Sequence, residues 1–148
     1  MALIKSISGI RGTIGGVPDE NLTPIDAVKF AAAYGFWLKN HVHKTRIKVV
    51  VGRDARLSGE MVQNLVQYTL IGLGIDVVDL GLSTTPTIEV AVTMEQADGG
   101  IILTASHNPK QWNALKLLNN QGEFLNAQEG EEILRIAADN NVVFAEVD

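Results

Sequence analysis

The sequence of 148 residues contains no cysteine. Disulfides, thiolate metal sites and a cysteine nucleophile are therefore excluded, and the absence fits a reducing compartment. Aromatic residues make up only 5% of the chain and prolines number 4. Long apolar runs are also missing. The opening Met1-Ala2-Leu3-Ile4-Lys5-Ser6 has no apolar core of a secretory signal. The longest mostly apolar stretch, Phe30 to Leu38, is too short to span a bilayer. The expectation is a cytoplasmic chain with no membrane partner. Basic residues are scarce towards the end: after Leu117 only Arg135 stands against seven acids, and the formal net charge is −5. Nucleic acid is not an expected partner, because neutralising a phosphate backbone needs a basic face. What remains is 46% hydrophobic and 20% charged, an ordinary globular composition of one domain's length. No internal repeat or linker interrupts it.

Strand-like and helix-like segments alternate along the chain. Residues 3–7 read as a short strand, followed by a glycine-rich loop from Ser8 to Gly16. Thr23-Pro24 has the form of an N-cap with proline at the first helical position, opening a helix to about Asn40. Arg46 to Val51 is a β-branched run, read as a buried strand that Gly52 ends. Ser58 is expected to cap a second helix, with Met61, Leu65, Tyr68 and Gly72 on one face and Gly74 as the stop. Ile75 to Leu80 is the next strand. Thr85-Pro86 begins a third helix to about Gln96, and Gly100 to Thr104 is a third buried strand. A polar loop over 105–113 leads to a strand from Ala114 to Asn119. Asn120-Gln121-Gly122 turns into a short strand over 123–125, and Asn126 caps a last helix ending near Asn140-Asn141. Val142 to Asp148 reads as a short extended tail.

Such alternation predicts an α/β fold, a three-layer αβα sandwich with helices on both faces of the sheet. Its core strands are expected to be parallel. A nine-residue loop is too short for a parallel crossover, so the strand after it should run antiparallel. Ligands of open sheets gather beyond the carboxyl ends of the strands. The segments Gly52 to Arg56, Gly81 to Pro86 and Ala105 to Asn113 should share that rim.

Arg11, Arg53, Arg56, Lys110 and Lys116 all lie in or beside turns. Cationic loops on an acidic protein can focus a small anion at one rim, although surface cations commonly fall in loops without function. Ser106 follows a strand and precedes His107, Asn108 and Pro109. An isolated loop serine usually bonds its own turn. Adjacent serine and histidine side chains do not form a triad, and no Gly-x-Ser-x-Gly elbow is present. Lys116, ten residues on, changes the picture, because a strand, tight loop and returning strand can bring it back to Ser106. Partly desolvated, it could serve as a base near neutral pH; alternatively it is an edge-strand lysine that deters aggregation. Arg53 and Arg56 offer planar donors for phosphate, with Asp54 orienting Arg53 or pairing with Arg56. His41 and His43 have no carboxylate nearby in sequence, and a solvated helix end explains them better than a metal.

Four ordered pieces together resemble the phosphohexomutase family of phosphoglucomutases, phosphomannomutases and phosphoglucosamine mutases. They are Ser8-Gly9-Ile10-Arg11-Gly12, Gly52-Arg53-Asp54-Ala55-Arg56, Thr84-Thr85-Pro86-Thr87, and Thr104-Ala105-Ser106-His107-Asn108-Pro109 with Asn113 and Lys116. Trp112 departs from the residue commoner before that asparagine. The resemblance covers the family's first domain, residues 1–148, and implies that the later domains lie outside this chain. It implies that Ser106 carries a phosphoryl group, passing it between the 1- and 6-positions of a hexose phosphate through a bisphosphate intermediate. Lys116 matches the general base, Arg11 an arginine near the transferring phosphate, and His107 a catalytic-loop residue. Asn108, Arg53 and Arg56 are expected to bind substrate or phosphate. Mg²⁺ would touch this chain only through the phosphate on Ser106, its other ligands belonging to an Asp-Gly-Asp-x-Asp loop that this sequence lacks. A hexose bisphosphate activator, a hexose phosphate substrate and the remaining domains of the polypeptide are the implied partners. The chain alone is expected to be inactive and to bind no cofactor tightly. The alternative is a stand-alone αβα module that binds anions or partners without catalysis.

Overall fold

The computed structural model describes residues 2–147. Ten elements follow one another: β1 (Leu3–Ser6), β2 (Gly9–Thr13), α1 (Pro24–His41), β3 (Lys48–Arg53), α2 (Gly59–Gly72), β4 (Asp76–Leu82), α3 (Thr85–Met94), β5 (Gly99–Leu103), β6 (Trp112–Leu118) and α4 (Ala127–Asp139). All six strands form one sheet in the order β1-β2-β6-β5-β3-β4. β3 pairs in parallel with β4 and β5, and β6 pairs antiparallel with β5 and β2. The mixed αβα sheet, with its antiparallel strand after the serine loop, is the expected one.

Strand periodicity sorts the apolar residues between two layers. Val49, Val51, Ile101, Leu103, Leu115 and Leu117 face α1, α2 and α4 and form the larger core. Val50, Ile102 and Leu118 face the other way, against Ile88 and Val92 of α3. Three helices thus cover one face and one helix the other. The α3 face is left open over β2 and β6, where Lys116 and Arg11 lie.

Several local expectations fail for physical reasons. The segment from Ser8 to Gly16 is half strand: β2 folds back on β1 and pairs with β6, Gly9 lying opposite Lys116. The segment 123–125 gives only a single bridge, Leu118 to Phe124. β4 runs past Gly81 because its register shifts where Val51 and Gly52 pair with Asp79 and Gly81. The buried face of α2 is Val62, Val66 and Leu70 with Gln63 and Gln67, whereas Met61 and Tyr68 are exposed. Asp79 makes that polar burial tolerable by accepting from Gln63 Nε2 at 2.7 Å. His41 does meet a carboxylate, Glu132 of α4, at 3.2 Å. No cluster of three metal-ligating side chains occurs among the described residues. None of the described helices is long and apolar enough to cross a membrane.

Helix ends follow their caps. At α1, Thr23 N donates to Asp26 Oδ2 at 2.9 Å, and Pro24 supplies a preset φ. At α4, Asn126 and Glu129 exchange backbone-to-side-chain bonds of 3.0 and 2.9 Å. Ser58 precedes α2, but its hydroxyl accepts from Asn113 Nδ2 of β6 at 2.9 Å instead of capping.

Tyr34 of α1 is fully buried, and its hydroxyl enters the β5–β6 seam. It accepts from Gly100 N at 3.0 Å and donates to Leu118 O at 2.5 Å. A side chain at Gly99 would overlap that hydroxyl, so glycine there admits it. Burial pushes the phenol pKa well above its ordinary value. Tyr34→Phe leaves a buried donor and acceptor without their bridge, a loss of about 1–3 kcal/mol. Thermal unfolding of the variant should show a midpoint lower by roughly 3–10 °C. An unchanged midpoint would show that the seam closes without the hydroxyl.

Candidate active site

β5 ends at Leu103, and the chain turns through Thr104 and Ala105 to reach Ser106 at the sheet's carboxyl rim. Ser106 is exposed and has φ +53°, left-handed backbone that costs a non-glycine residue on the order of 1 kcal/mol. Its amide donates to Thr104 Oγ1 at 3.1 Å. Asn108 N bonds Ala105 O at 3.0 Å and Trp112 N bonds Pro109 O at 2.9 Å, which tightens the loop into β6. The returning strand then carries Lys116 back, and its Nζ lies 2.5 Å from Ser106 Oγ.

Around this pair the surface is cationic and shallowly concave. Arg11 of β2 stands opposite Ala114, two residues from Lys116 on the same face of the sheet. Gly9 stands opposite Lys116, and a Cβ there would overlap the Leu115 carbonyl oxygen. The bare backbone lets β2 close on β6 and leaves a depression of about 250 Å³ lined by Ser6, Ser8, Gly9, Arg11 and Lys116. Burial pushes the Lys116 pKa below its ordinary 10.5; the Arg11 charge adds to the depression, Asp54 opposes it and Arg56 adds a little. A serine hydroxyl beside an amine whose pKa is lowered is the kind of arrangement that can activate a nucleophile.

This arrangement can be set beside known proteins. The family model described as phosphoglucomutase/phosphomannomutase, alpha/beta/alpha domain I, matches residues 4–142. The chain belongs to this family. A phosphoglucomutase/phosphomannomutase of Thermococcus kodakarensis is 44% identical over 113 residues, 75% of this chain and 25% of that protein. A phosphoglucosamine mutase of Limosilactobacillus fermentum is 41% identical over 113 residues, again 75% of this chain and 25% of that protein. The solved structure of a Thermus thermophilus protein assigned as a phosphomannomutase superposes with a TM-score of 0.81 at 30% identity, covering 93% of this chain and 30% of that one. The chain therefore spans about a quarter of the length of these curated relatives and corresponds to one domain of such enzymes.

The expected site residues divide. Lys116 and Arg11 line one depression, and Lys116 reaches Ser106 from it. His107 is exposed and Asn108 half-buried, and neither side chain makes a hydrogen bond among the described residues. Arg53 does not join the loop. Its strand alternation turns it to the α2 side, where its Cδ packs against Gly59 and its Nη1 reaches only Asp54 O at 3.3 Å. Its buried Nε has no partner. Arg56 is also not the free phosphate donor expected. Its five N–H groups are all engaged: Nε with Asp54 Oδ2, Nη1 with Pro109 O and Trp112 O, and Nη2 with Ser106 O and Asn108 O.

Two further participants, Thr104 and Asn113, lie within the four family-like pieces but carry no expected role there. Thr104 accepts from the Ser106 amide and donates to Asp54 Oδ2 at 2.5 Å. Asn113 is fully buried and ties β6 to Ser58. The available signal is a single pattern, an aspartate two residues before an arginine just past a strand, matched by a strand-ending threonine.

Lys116 titration checks the electrostatics directly. Followed by NMR with ¹³C-labelled lysine, its midpoint should lie below 10.5. Arg11→Ala removes a neighbouring cation and should move the midpoint upward. A midpoint that stays put in this variant would deny the coupling.

Proposed function

We propose that this chain is the phosphoryl-carrying domain of a hexose-phosphate mutase. The observation that carries this reading is the Ser106 Oγ–Lys116 Nζ contact of 2.5 Å, with Lys116 also lining a depression between β2 and β6 that Arg11 shares. In the unphosphorylated state, neutral Lys116 takes the Oγ proton as the oxygen attacks a phosphorus of a hexose 1,6-bisphosphate. A phosphorus–oxygen bond forms to Ser106 and the one to the sugar breaks, leaving a hexose monophosphate whose freed oxygen takes up a proton. Run in reverse with the sugar turned round, the phosphoserine delivers its group to the other hydroxyl, and the net change is transfer between the 1- and 6-positions. Protonated Lys116 and Arg11 face the equatorial oxygens and offset their charge, which is the main demand of phosphoryl transfer.

Mg²⁺ is the metal the family implies. The residues present do not make a site for it. Lys116 lies against Ser106 Oγ, and the nearby carboxylate, Asp54, is bound to Thr104 and Arg56. A hard cation needs about six oxygen ligands, and among the described residues no group of three His, Cys, Asp or Glu could hold one. The remaining ligands, and the groups that choose among glucose, mannose and glucosamine phosphates, belong to other domains in this reading. The relatives named for phosphoglucosamine and for glucose and mannose phosphates leave those sugars as the substrate class.

Incubating the protein with glucose 1,6-bisphosphate should place one phosphate on the peptide containing Ser106, read by mass spectrometry. Ser106→Ala should abolish it, and Lys116→Met should slow it by about 10²–10⁴-fold. Residues 1–148 assayed alone with sugar phosphate, bisphosphate and Mg²⁺ should show no sustained turnover. Phosphate on another residue, or an unaffected Lys116→Met, would remove the assignment.

A further inference from the structure

Resting on that reading, we propose that Arg56 and Asp54 are positioning residues that hold the Ser106 peptide from both sides and so aim the nucleophile. The connection spans the sheet rim. Asp54 and Arg56 sit in the turn between β3 and α2, about fifty residues before the loop they bind. Arg56 reaches into the bend between β5 and β6 and donates to four backbone carbonyls, those of Ser106, Asn108, Pro109 and Trp112, at 2.7–3.0 Å. Its side chain is only 11% exposed. A planar guanidinium with five donors can satisfy four convergent carbonyls and one carboxylate; an ammonium has three donors and no fixed plane.

Asp54 closes the circuit. Its Oδ1 accepts from Arg56 N at 3.2 Å, and its Oδ2 accepts from Arg56 Nε at 3.3 Å and from Thr104 Oγ1 at 2.5 Å. Thr104 Oγ1 in turn accepts the Ser106 amide at 3.1 Å. The carbonyl of Ser106 is thus fixed by Arg56, and its amide by Thr104 on Asp54. That pincer holds the residue at φ +53°, a conformation serine does not favour, and aims Oγ at Lys116. Release of either arm lets the loop relax towards ordinary backbone and swings Oγ away from the amine. Arg56 also lies within the field that depresses the Lys116 pKa. A charge-keeping variant therefore separates fork geometry from charge.

Arg56→Lys and Thr104→Val are the two variants, each cutting one arm. In this chain, amide exchange over residues 106–112 should quicken by roughly tenfold or more in both, while amides of β3 and α1 keep their protection. In the complete polypeptide, the rate of phosphoryl transfer from glucose 1,6-bisphosphate to Ser106 should fall by about 100-fold, with KM for the hexose phosphate within about threefold of wild type. A loss confined to KM would show Arg56 gripping substrate phosphate and would overturn the proposal. Unchanged exchange and unchanged transfer rates would overturn it equally. If the wild-type polypeptide takes up no phosphate on Ser106, the mutase reading fails by itself, and the exchange measurement still decides whether the pincer exists.

Discussion

The antiparallel return of β6 beside β5 is the constraint on which the site depends. A parallel crossover would have carried the chain away through a helix, and Lys116 would have emerged elsewhere. The short return puts Lys116 opposite Ile102 on one side and Gly9 on the other. Lys116 alternates with Leu115 and Leu117, which are buried against the three-helix face. Its own face is the one α3 does not cover, so the amine is partly desolvated by the sheet yet open to a ligand. Gly9 completes the arrangement, since any side chain there would push β2 off β6.

Held in this way, the serine depends on two kinds of cation. Lys116 and Arg11 face the open depression with no carboxylate partner within salt-bridge distance among the described residues, whereas Arg56 is enclosed and bonded at every donor. The first kind is available to an incoming anion and the second to the backbone. Sequence spacing presents all of them as arginines and lysines beside turns. Burial and hydrogen bonding assign the jobs.

That distinction marks what the sequence makes legible. The pairing of Ser106 with Lys116 follows from a strand, a nine-residue loop and a strand, because short returns are antiparallel. The alternating pieces likewise foretell the layered sheet. The Gly-Ile-Arg-Gly-Thr stretch hides β2, since its glycines depress strand propensity although one is required for the close approach to β6. In α2 two helical stripes compete. The buried one contains Gln63 and Gln67, whose cost is offset by Asp79 on β4, a partner that no local pattern reveals. Arg53 and Arg56 look equivalent in sequence, but alternation along β3 sends Arg53 to the α2 side before the turn begins. Glu132 reaches His41 from another helix, far along the chain, by the same kind of tertiary pairing.

The electrostatic imbalance at the rim explains why a phosphate suits it. Burying part of Lys116 beside Arg11 raises the free energy of the charged amine, and its depressed pKa expresses that cost. Within the chain, Asp54 is the carboxylate that opposes the shift, and it is already bonded to Arg56 and Thr104. A dianion on Ser106 would relieve the imbalance by favouring the charged lysine, so the same residue changes role with the state of the serine. Beside a free hydroxyl it is readier to lose a proton. In the proposed mutase reading, a phosphate on Ser106 would hold it protonated, facing the oxygens of the group to be transferred. On that reading one side chain would serve both halves of the proposed transfer, provided Ser106 stays where the loop's bonds to Arg56 and Thr104 hold it.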